Sequence, residues 1–309
     1  MQILITGGTG LIGKQLCKAL LAEGHELTVF SRNPASVPAK CGAGVHAIGA
    51  LGEWHPGKTF DAVINLAGEP IVDARWTARR KQVLWDSRVT LTKELVRHIA
   101  TAGRKPAVLI SGSAVGYYGN RGDTAMYEAA DAGEDFAAQL CKAWEDAAHA
   151  AEQVGVRVCL LRTGLILSNK GGLLGRMLPA FKLGLGARLG NGKQWMSWVH
   201  IDDYVAMVLK LLHDSFASGD QASLALASGP YNMTAPQPAT NAEFTAALAK
   251  ALHRPALFAA PAPLLRLAMG ERAGLILEGQ KVLPGKMTAA GYRFQYPNLD
   301  DALGNLFGR

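Results

Sequence analysis

Three glycines near the start of the chain have the spacing of a phosphate-binding loop. Residues 6–13 read Thr-Gly-Gly-Thr-Gly-Leu-Ile-Gly, directly after an apolar run and at the start of an amphipathic segment. Glycines so placed allow a tight turn, a close approach of backbone to a pyrophosphate, and close packing of a helix on a sheet. The helix N-terminus then presents its amides to the anion. The sequence predicts a dinucleotide here rather than a plain glycine-rich turn, bound by Gly7, Thr9, Gly10, Leu11, Ile12 and Gly13.

The second apolar run indicates which dinucleotide is bound. An acidic residue about 20 positions after the loop would bind the ribose 2′-hydroxyl of NAD. No Asp or Glu occurs between Leu27 and Ala50, and the run ends in Ser31 and Arg32. A hydroxyl and a guanidinium suit a 2′-phosphate. We therefore predict NADP (NADPH) rather than NAD, the alternative being an arginine that only faces solvent in the turn before Pro34.

The order of elements predicts what positions this loop. Apolar runs at 3–6, 26–31, 61–67, 107–111 and 156–162 read as strands, and amphipathic stretches at 11–23, 77–102, 135–153 and 203–213 read as helices. Such alternation predicts an α/β fold of the Rossmann type, with a doubly wound parallel sheet. We assign residues 1–166 and about 200–235 to the nucleotide-binding domain, with 228–240 as a crossing segment. Residues of about 167–199 and 236–309 form a smaller C-terminal α/β region on the substrate side.

Composition limits the class of protein. The chain has 309 residues, 49% of them hydrophobic and 18% charged, and a net charge of +7. It contains no apolar run of membrane-spanning length, no leader sequence, no block of basic residues and no metal-ligand spacing among its four cysteines. These features predict a reduced cytoplasmic protein with a small-molecule substrate, a possible homodimer, and no nucleic acid, membrane or metal as a partner.

Further motifs carry a family resemblance. Asn-Leu-Ala-Gly at 65–68, Ser-Gly-Ser-Ala at 111–114, Tyr-Tyr-Gly at 117–119 and Val-His-Ile-Asp-Asp at 199–203 resemble motifs of the extended short-chain dehydrogenase/reductases, which include sugar-nucleotide epimerases. Asn-Leu-Ala-Gly-Glu-Pro-Ile at 65–71, Lys-Ala-Trp-Glu at 142–145 and Leu-Glu-Gly-Gln-Lys-Val-Leu-Pro at 277–284 are similar to the YfcH-like epimerase family, an atypical branch with its own short C-terminal domain. The resemblance covers essentially the whole chain.

The resemblance implies a second set of cofactor contacts. Leu66, Ala67 and Gly68 match the motif that follows the fourth strand beside the cofactor, and Glu69 comes next. Glu69 either faces the cofactor ribose or charges a surface loop. Arg88 falls where related enzymes place an asparagine near the cofactor, and it either pairs with a phosphate or faces solvent.

One departure from the superfamily concerns catalysis. Typical members carry Tyr-x-x-x-Lys on the helix after the serine strand, where the tyrosine moves a proton and the lysine lowers its pKa. Here Ala138 stands four residues before Lys142. Alignment on Trp144 and Glu145 instead places the pair on Ala137 and Cys141. The tyrosine is absent in either alignment, so the usual mechanism cannot be transferred.

Three hydroxyl residues are the remaining catalytic candidates. Ser113 matches the serine that binds a substrate oxygen, although its hydroxyl could instead stabilise the turn after the strand. Tyr117 and Tyr118 could replace the missing acid, or form an aromatic lid over the nicotinamide. Arg162 ends a strand near the expected cleft, and Arg176, Lys182, Arg188 and Lys193 could meet an anionic substrate or lie in solvent.

Two functions fit this pattern. The first is an NADP-dependent oxidoreductase that reduces a small carbonyl or sugar-like substrate without the Tyr-x-x-x-Lys pair. Reduction is favoured over epimerisation because epimerisation needs an efficient base as well as an acid. The second is a non-catalytic NADP-binding sensor or regulator, suggested by an intact phosphate loop beside an altered catalytic helix.

Overall fold

A parallel sheet of seven strands forms the centre of the molecule in the computed structural model, which describes residues 1–55, 57–217 and 227–308. The chain forms 15 strands in these ranges, seven of which make the sheet in the order β12-β7-β5-β4-β1-β2-β3. The strands are β1 Gln2–Thr6, β2 Glu26–Phe30, β3 His46–Ile48, β4 Ala62–Asn65, β5 Val108–Ala114, β6 Gly122–Met126, β7 Arg157–Thr163, β8 Leu165–Leu167, β9 Ala187–Leu189, β10 Trp195–Met196, β11 Trp198–His200, β12 Gly229–Met233, β13 Ala239–Thr240, β14 Phe258–Ala260 and β15 Gln280–Val282.

Helices cover both faces of this sheet. Two separate clusters of buried apolar side chains lie on its two sides. One includes Leu16 of α1 and Leu211 of α7, and the other includes Leu95 of α4 and Ala148 of α5. The α-helices are α1 Leu11–Ala22, α2 Val37–Cys41, α3 Ala78–Trp85, α4 Leu91–Thr101, α5 Phe136–His149, α6 Gly172–Lys182, α7 Ile201–Asp214, α8 Asn241–Ala251, α9 Ala262–Met269, α10 Gly274–Leu277, α11 Gly285–Ala289 and α12 Leu299–Phe307.

The strand order confirms the predicted Rossmann-type α/β class. After β3 the chain returns to the other side of β1, so that β4 pairs with β1 in parallel. The strand order therefore reverses between β1 and β4. In open α/β sheets the crevice beyond the carboxyl ends of the strands at such a point is where ligands bind.

A smaller third cluster underlies the C-terminal region. It joins apolar side chains of α6, α8 and α12, among them Leu174, Phe244 and Leu303. Short two-stranded pairings, β9 with β14 and β10 with β13, connect these helices. The domain limits drawn from the sequence remain a prediction.

The structure differs from the sequence prediction in three elements. β5 continues to Ala114 rather than ending at residue 111, so Ser113 lies within the strand and not in the turn after it. The segment 228–240, predicted to cross between regions, begins with β12, the edge strand beside β7. Gly229 and Pro230 start this strand at the sheet edge, where proline is tolerated.

The predicted helix at 77–102 is the third difference. It forms a continuous helix from Ala78 to Thr101, but its middle turn, Asp86–Thr90, is π-helical. A π turn inserts one residue into a helix and is often found at functional sites. This turn carries Arg88.

Two findings bear on the predicted compartment. Cys17, Cys41, Cys141 and Cys159 are buried and free. No helix in the described part of the chain is long and apolar enough to span a membrane. The compartment itself stays a prediction.

Candidate functional site

The glycine loop follows β1 and is held against the end of β4. Gly7 has a positive φ of +71°, and a Cβ there would lie 2.5 Å from the Leu66 carbonyl oxygen. A Cβ at Gly13 would collide with the Gly7 carbonyl oxygen. Gly7 therefore permits the tight turn, and Gly13 permits close packing of α1 on the loop.

Gly10 differs from the other two glycines. A Cβ on Gly10 would meet only the Gly7 carbonyl oxygen, at 3.2 Å, and Gly10 itself is exposed. Gly10 is also the N-cap of α1, and no side chain accepts a hydrogen bond from the first amides of this helix. The loop with Thr9, Leu11 and Ile12 thus leaves a cradle of free amides at a helix N-terminus, which suits a pyrophosphate.

A buried set of hydrogen bonds joins the carboxyl ends of three strands beside this loop. The Thr6 hydroxyl donates to Asn65 Oδ1 at 2.6 Å, and its oxygen accepts the Ala67 amide at 3.2 Å. Asn65 Nδ2 donates to Thr92 Oγ1 and to Ser111 Oγ, at 2.8 and 3.2 Å. These bonds fix the course of Leu66, Ala67 and Gly68 next to the glycine loop, at the switch point of the sheet.

Arg32 meets a carboxylate at the tip of β2. Its side chain is 87% exposed, and Nη1 donates to Glu69 Oε1 at 2.6 Å. Glu69 also lies 3.6 Å from Arg80. The Ser31 hydroxyl accepts the Asn33 amide at 3.2 Å, which leaves its own proton available to a ligand. Arg32 and Ser31 are accessible to a 2′-phosphate, which would compete with Glu69 for Arg32.

Arg88 is partly buried beneath the residues that follow β4. Its Nη2 donates to the Glu69 carbonyl at 2.9 Å, and the guanidinium packs 5.4 Å from the Trp144 ring centroid. A Cβ on Gly68 would stand 3.0 Å from the Arg88 Cζ atom. Burial lowers the pKa of Arg88, whose charge also interacts with Cys141. Arg88 thus brings a cation to the region of Cys141, the position that matches the usual lysine.

In the alignment on Trp144 and Glu145, the position of the usual tyrosine lies at a cleft. Ala137 lines a cavity of about 600 Å³, together with Val115 and Gly116 after β5 and residues of segment 266–280. Lys142, the alternative to Cys141, is exposed and pairs with Asp146 at 2.8 Å. The structure therefore shows open space beside Ala137 where a tyrosine ring would otherwise project.

Ser113 belongs to a buried charged network that the sequence analysis did not anticipate. Its hydroxyl donates to Glu145 Oε1 at 2.6 Å. Arg162 holds the same carboxylate with two bonds, Nε to Oε1 at 2.9 Å and Nη2 to Oε2 at 2.8 Å. Burial acts to lower the pKa of Arg162, but the Glu145 carboxylate outweighs it and raises the pKa above its usual value. All three residues are less than 5% exposed.

The two tyrosines occupy different environments. Tyr118 is fully buried, donates its hydroxyl to Asn232 Oδ1 at 2.6 Å and accepts from Arg162 Nη1 at 3.0 Å. Burial raises its pKa to about 12. The Tyr117 ring lies 3.5 Å from the Arg162 guanidinium carbon. The hydrogen bonds and raised pKa of Tyr118 argue against it as a proton donor in the cleft. The Tyr117 ring packs over the Arg162 guanidinium.

The spacing of residues in α5 could have predicted this network from the sequence. Cys141, Trp144, Glu145 and Ala148 lie on one buried face of α5, with Glu145 as the one acid among apolar neighbours at helical spacing. A buried carboxylate requires a cationic partner. Gly112 contributes as well, since a Cβ there would stand 2.7 Å from the Trp144 ring. The close approach at Gly112 lets α5 bring Glu145 under Ser113.

Comparisons with known proteins agree with this geometry. The model of the NAD dependent epimerase/dehydratase family matches residues 3–225, and that of a domain of unknown function (DUF1731) matches residues 260–306. An epimerase family protein of Mycobacterium bovis is 43% identical over 98% of this chain and 96% of its own length.

Two solved structures are also similar. The human epimerase family protein SDR39U1, crystallised with NADPH, has a TM-score of 0.86 and 32% identity, covering 99% of both chains. A protein of Corynebacterium glutamicum described as a nucleoside-diphosphate sugar epimerase has a TM-score of 0.72 and 30% identity, and the match covers all of this chain but 58% of that one.

Proposed function

Because this chain belongs to the NAD dependent epimerase/dehydratase family, we propose that it binds NADP(H) and uses it to reduce a small carbonyl or sugar-like substrate. The observation that carries the proposal is the position of the open cleft at Ala137, just beyond the carboxyl end of β5, the strand next to β4 and the switch point. A ligand in that cleft would lie next to the reactive end of a dinucleotide bound across the switch point.

The chain's residues fit the cofactor along the length of the crevice. The free amides of α1 would hold the pyrophosphate, and Ser31 with Arg32 the 2′-phosphate. Leu66, Ala67 and Gly68 would line the middle of the site, and Arg88 would place its charge near the nicotinamide ribose. The NADPH in the human relative supports this choice of nucleotide.

Arg32→Ala is expected to weaken NADPH binding by about 1.5–3 kcal/mol, the value of a hydrogen bond to a charged group. NADH, which has no 2′-phosphate, should lose little affinity. Isothermal titration with both nucleotides measures the difference. An exposed arginine in the same half of the molecule, Arg97→Ala on α4, is the matched control. Equal losses for NADPH and NADH would contradict the assignment of Arg32.

The reaction needs a hydride and a proton. When bound, the cofactor supplies hydride to a carbonyl carbon, and the oxygen takes up a proton to give the alcohol. Ser113 would polarise that oxygen by turning its hydroxyl from Glu145 to the substrate. Glu145 can release Ser113 because it keeps both hydrogen bonds from Arg162. Ala137 cannot donate a proton, so the proton would come from water in the cleft beside it.

Ser113→Ala is expected to lower kcat/KM for NADPH oxidation about 100-fold, the effect of losing one preorganised donor to a developing oxyanion. NADPH affinity should not change, because in this proposal Ser113 would contact the substrate and not the nucleotide. The assay is NADPH turnover with a panel of quinones, aldehydes, ketones and sugar nucleotides. Thr101→Ala, which removes an exposed hydroxyl at the end of α4, is the control. Unchanged kcat/KM in Ser113→Ala would remove Ser113 from the reaction.

A second function has one specific observation in its favour. Two of the three candidate hydroxyl groups are already hydrogen-bonded within the protein, Ser113 to Glu145 and Tyr118 to Asn232. A closed network of this kind suits a non-catalytic NADP sensor or regulator. Tight NADPH binding with no turnover of any panel member would favour the sensor, and substrate-dependent turnover favours the reductase.

A further inference from the structure

A second cavity adjoins the cleft at Ala137. It has a volume of about 490 Å³ and lies between α6, β9, β10 and segment 269–280. Val115, Leu275, Glu278 and Gln280 line both spaces, so they meet along these residues. A molecule whose reacting end lies beside Ala137 would therefore extend its other end into this second cavity.

The wall of the second cavity is mainly hydrocarbon and thioether. Aliphatic, methionine and aromatic side chains come from four different elements of the C-terminal region, and most of them are only partly buried. A cavity of a few hundred Å³ with such a lining has the size and surface of a small-molecule site. The principal apolar residues are Met177, Phe181, Leu185, Leu189, Met196 and Ile276.

The uncharged polar side chains of this wall are engaged within the protein. Gln194 Nε2 donates to the carbonyls of Leu189 and Ile276, at 3.1 and 2.8 Å. The Ser197 hydroxyl donates to the Gln280 carbonyl at 2.7 Å and accepts the Val282 amide at 2.9 Å. Because these groups stabilise the cavity wall, they offer few hydrogen bonds to the hydroxyls of a sugar or the edge of a base.

The charges around both spaces are unsuited to a diphosphate. Among the described lining residues of the second cavity, Arg176 is the one cation, and it pairs with Asp73. Glu278 adds a carboxylate to the same wall. The cleft at Ala137 brings Asp135 and Glu271 beside Glu278, against the single guanidinium of Arg266. Phosphate oxygens are bound by arginine forks or free amides, and a carboxylate without a cationic partner repels them. Glu271 is paired with Lys81, so Asp135 and Glu278 are the acids that would repel a diphosphate here.

Exposed apolar residues continue the cavity wall to the surface. Leu185 lines the cavity and is 56% exposed. Phe258, 54% exposed, pairs in register with Ala187 of the wall. Exposed apolar side chains beside a cavity would contribute little to binding a polar substrate. They would favour the binding of an apolar one.

We propose that the second cavity holds the hydrocarbon portion of an apolar carbonyl compound, and that a nucleoside diphosphate sugar is not the substrate. The proposal rests on the proposed reductase function, since it identifies the substrate class of that same site. Hydride and a proton would add to the carbonyl at the Ala137 end, giving the corresponding alcohol or hydroquinone and NADP+. The hydrocarbon portion would displace water from the apolar wall, which is the source of its affinity.

The test measures binding and turnover separately on the full chain. Titration calorimetry of the NADP+-loaded protein is carried out with 2-undecanone, menadione and UDP-glucose. We expect at least one of the two apolar probes to bind at least tenfold more tightly than UDP-glucose. Met177→Glu, which places a carboxylate on the cavity wall, should weaken that probe at least tenfold. Leu183→Glu introduces the same charge at an exposed position next to α6 and should change its affinity less than twofold.

NADPH affinity is measured for each variant to show that the fold and cofactor site are intact. Tighter binding of UDP-glucose, binding of neither apolar probe, or equal losses in Met177→Glu and Leu183→Glu would each overturn the proposal. If Met177→Glu does not fold, Ile276→Glu on the opposite wall serves instead.

Turnover separates this proposal from the reductase function. Apolar probes that bind at the cavity but are not reduced by NADPH would support the cavity assignment and contradict the reductase. NADPH oxidation that depends on a 4-keto nucleotide sugar such as UDP-4-keto-6-deoxyglucose, which has the carbonyl that UDP-glucose lacks, in a protein that binds no apolar probe, would support the reductase and contradict the cavity assignment.

Discussion

Replacing Gly10 by valine is expected to abolish measurable binding of both NADPH and NADH. The expected loss is at least about 100-fold, or about 2.7 kcal/mol. Inside the protein a Cβ at this position would meet only the Gly7 carbonyl oxygen, at 3.2 Å. The rest of the valine side chain would project from the exposed N-cap of α1 into the space where a pyrophosphate must approach the helix amides.

Nucleotide titrations of two further variants make this result specific. Gly10→Ala should give a smaller loss, since one methyl group fills less of the cradle. Gly44→Val changes an exposed glycine with nothing within 4 Å of its Cβ, and it should bind as the unmodified protein does. Retained nucleotide binding in folded Gly10→Val would mean that the loop is only structural.

Glu145→Leu is expected to lower the free energy of unfolding by about 3–5 kcal/mol, which is the effect of leaving one member of a buried ion pair without its partner. The Arg162 guanidinium would lose two charged hydrogen bonds, and the Ser113 hydroxyl would lose its acceptor. Chemical denaturation by urea, followed by tryptophan fluorescence, measures the change.

The double variant Glu145→Leu/Arg162→Leu distinguishes the destabilisation caused by an unpaired buried charge from that caused by lost contacts. Removing both charges leaves an apolar pair, which is often as stable as the ion pair it replaces. We therefore expect the double variant to be more stable than Glu145→Leu alone. A loss below about 1 kcal/mol in Glu145→Leu, the range of exposed pairs, would show that the network contributes little to stability.

Local sequence patterns predicted the elements that carry the cofactor loop. Alternating apolar runs and amphipathic segments gave β1, α1, β2 and β4 to within a few residues, because each is formed by local periodicity. The roles of the glycines at 7, 10 and 13 could be predicted one by one, because each role requires a residue without a side chain. Strand ends were less predictable. β5 runs three residues beyond the expected end because β7 pairs with it as far as Thr163.

Contacts between distant segments could not be predicted in the same way. The pairing of Glu145 with Arg162, and of Tyr118 with Asn232, depends on how α5, β7 and β12 pack together. The sequence also gave no sign that Glu69 would hold Arg32, 37 positions away. The set of side chains that lines the second cavity likewise depends on how α6, β9 and the segment after α9 pack together.

The π turn at Asp86–Thr90 has a consequence for the whole helix from Ala78 to Thr101. One extra residue rotates everything before it by about 100° relative to a regular helix. The two halves of the helix, α3 and α4, can therefore contact different neighbours. α4 buries Leu95 and Ile99 against the sheet, whereas Lys81 of α3 reaches Glu271 beside the C-terminal helices, at 2.7 Å. A single continuous helix thereby contacts both the sheet and the C-terminal region. Arg88 lies in the π turn where the helix face rotates.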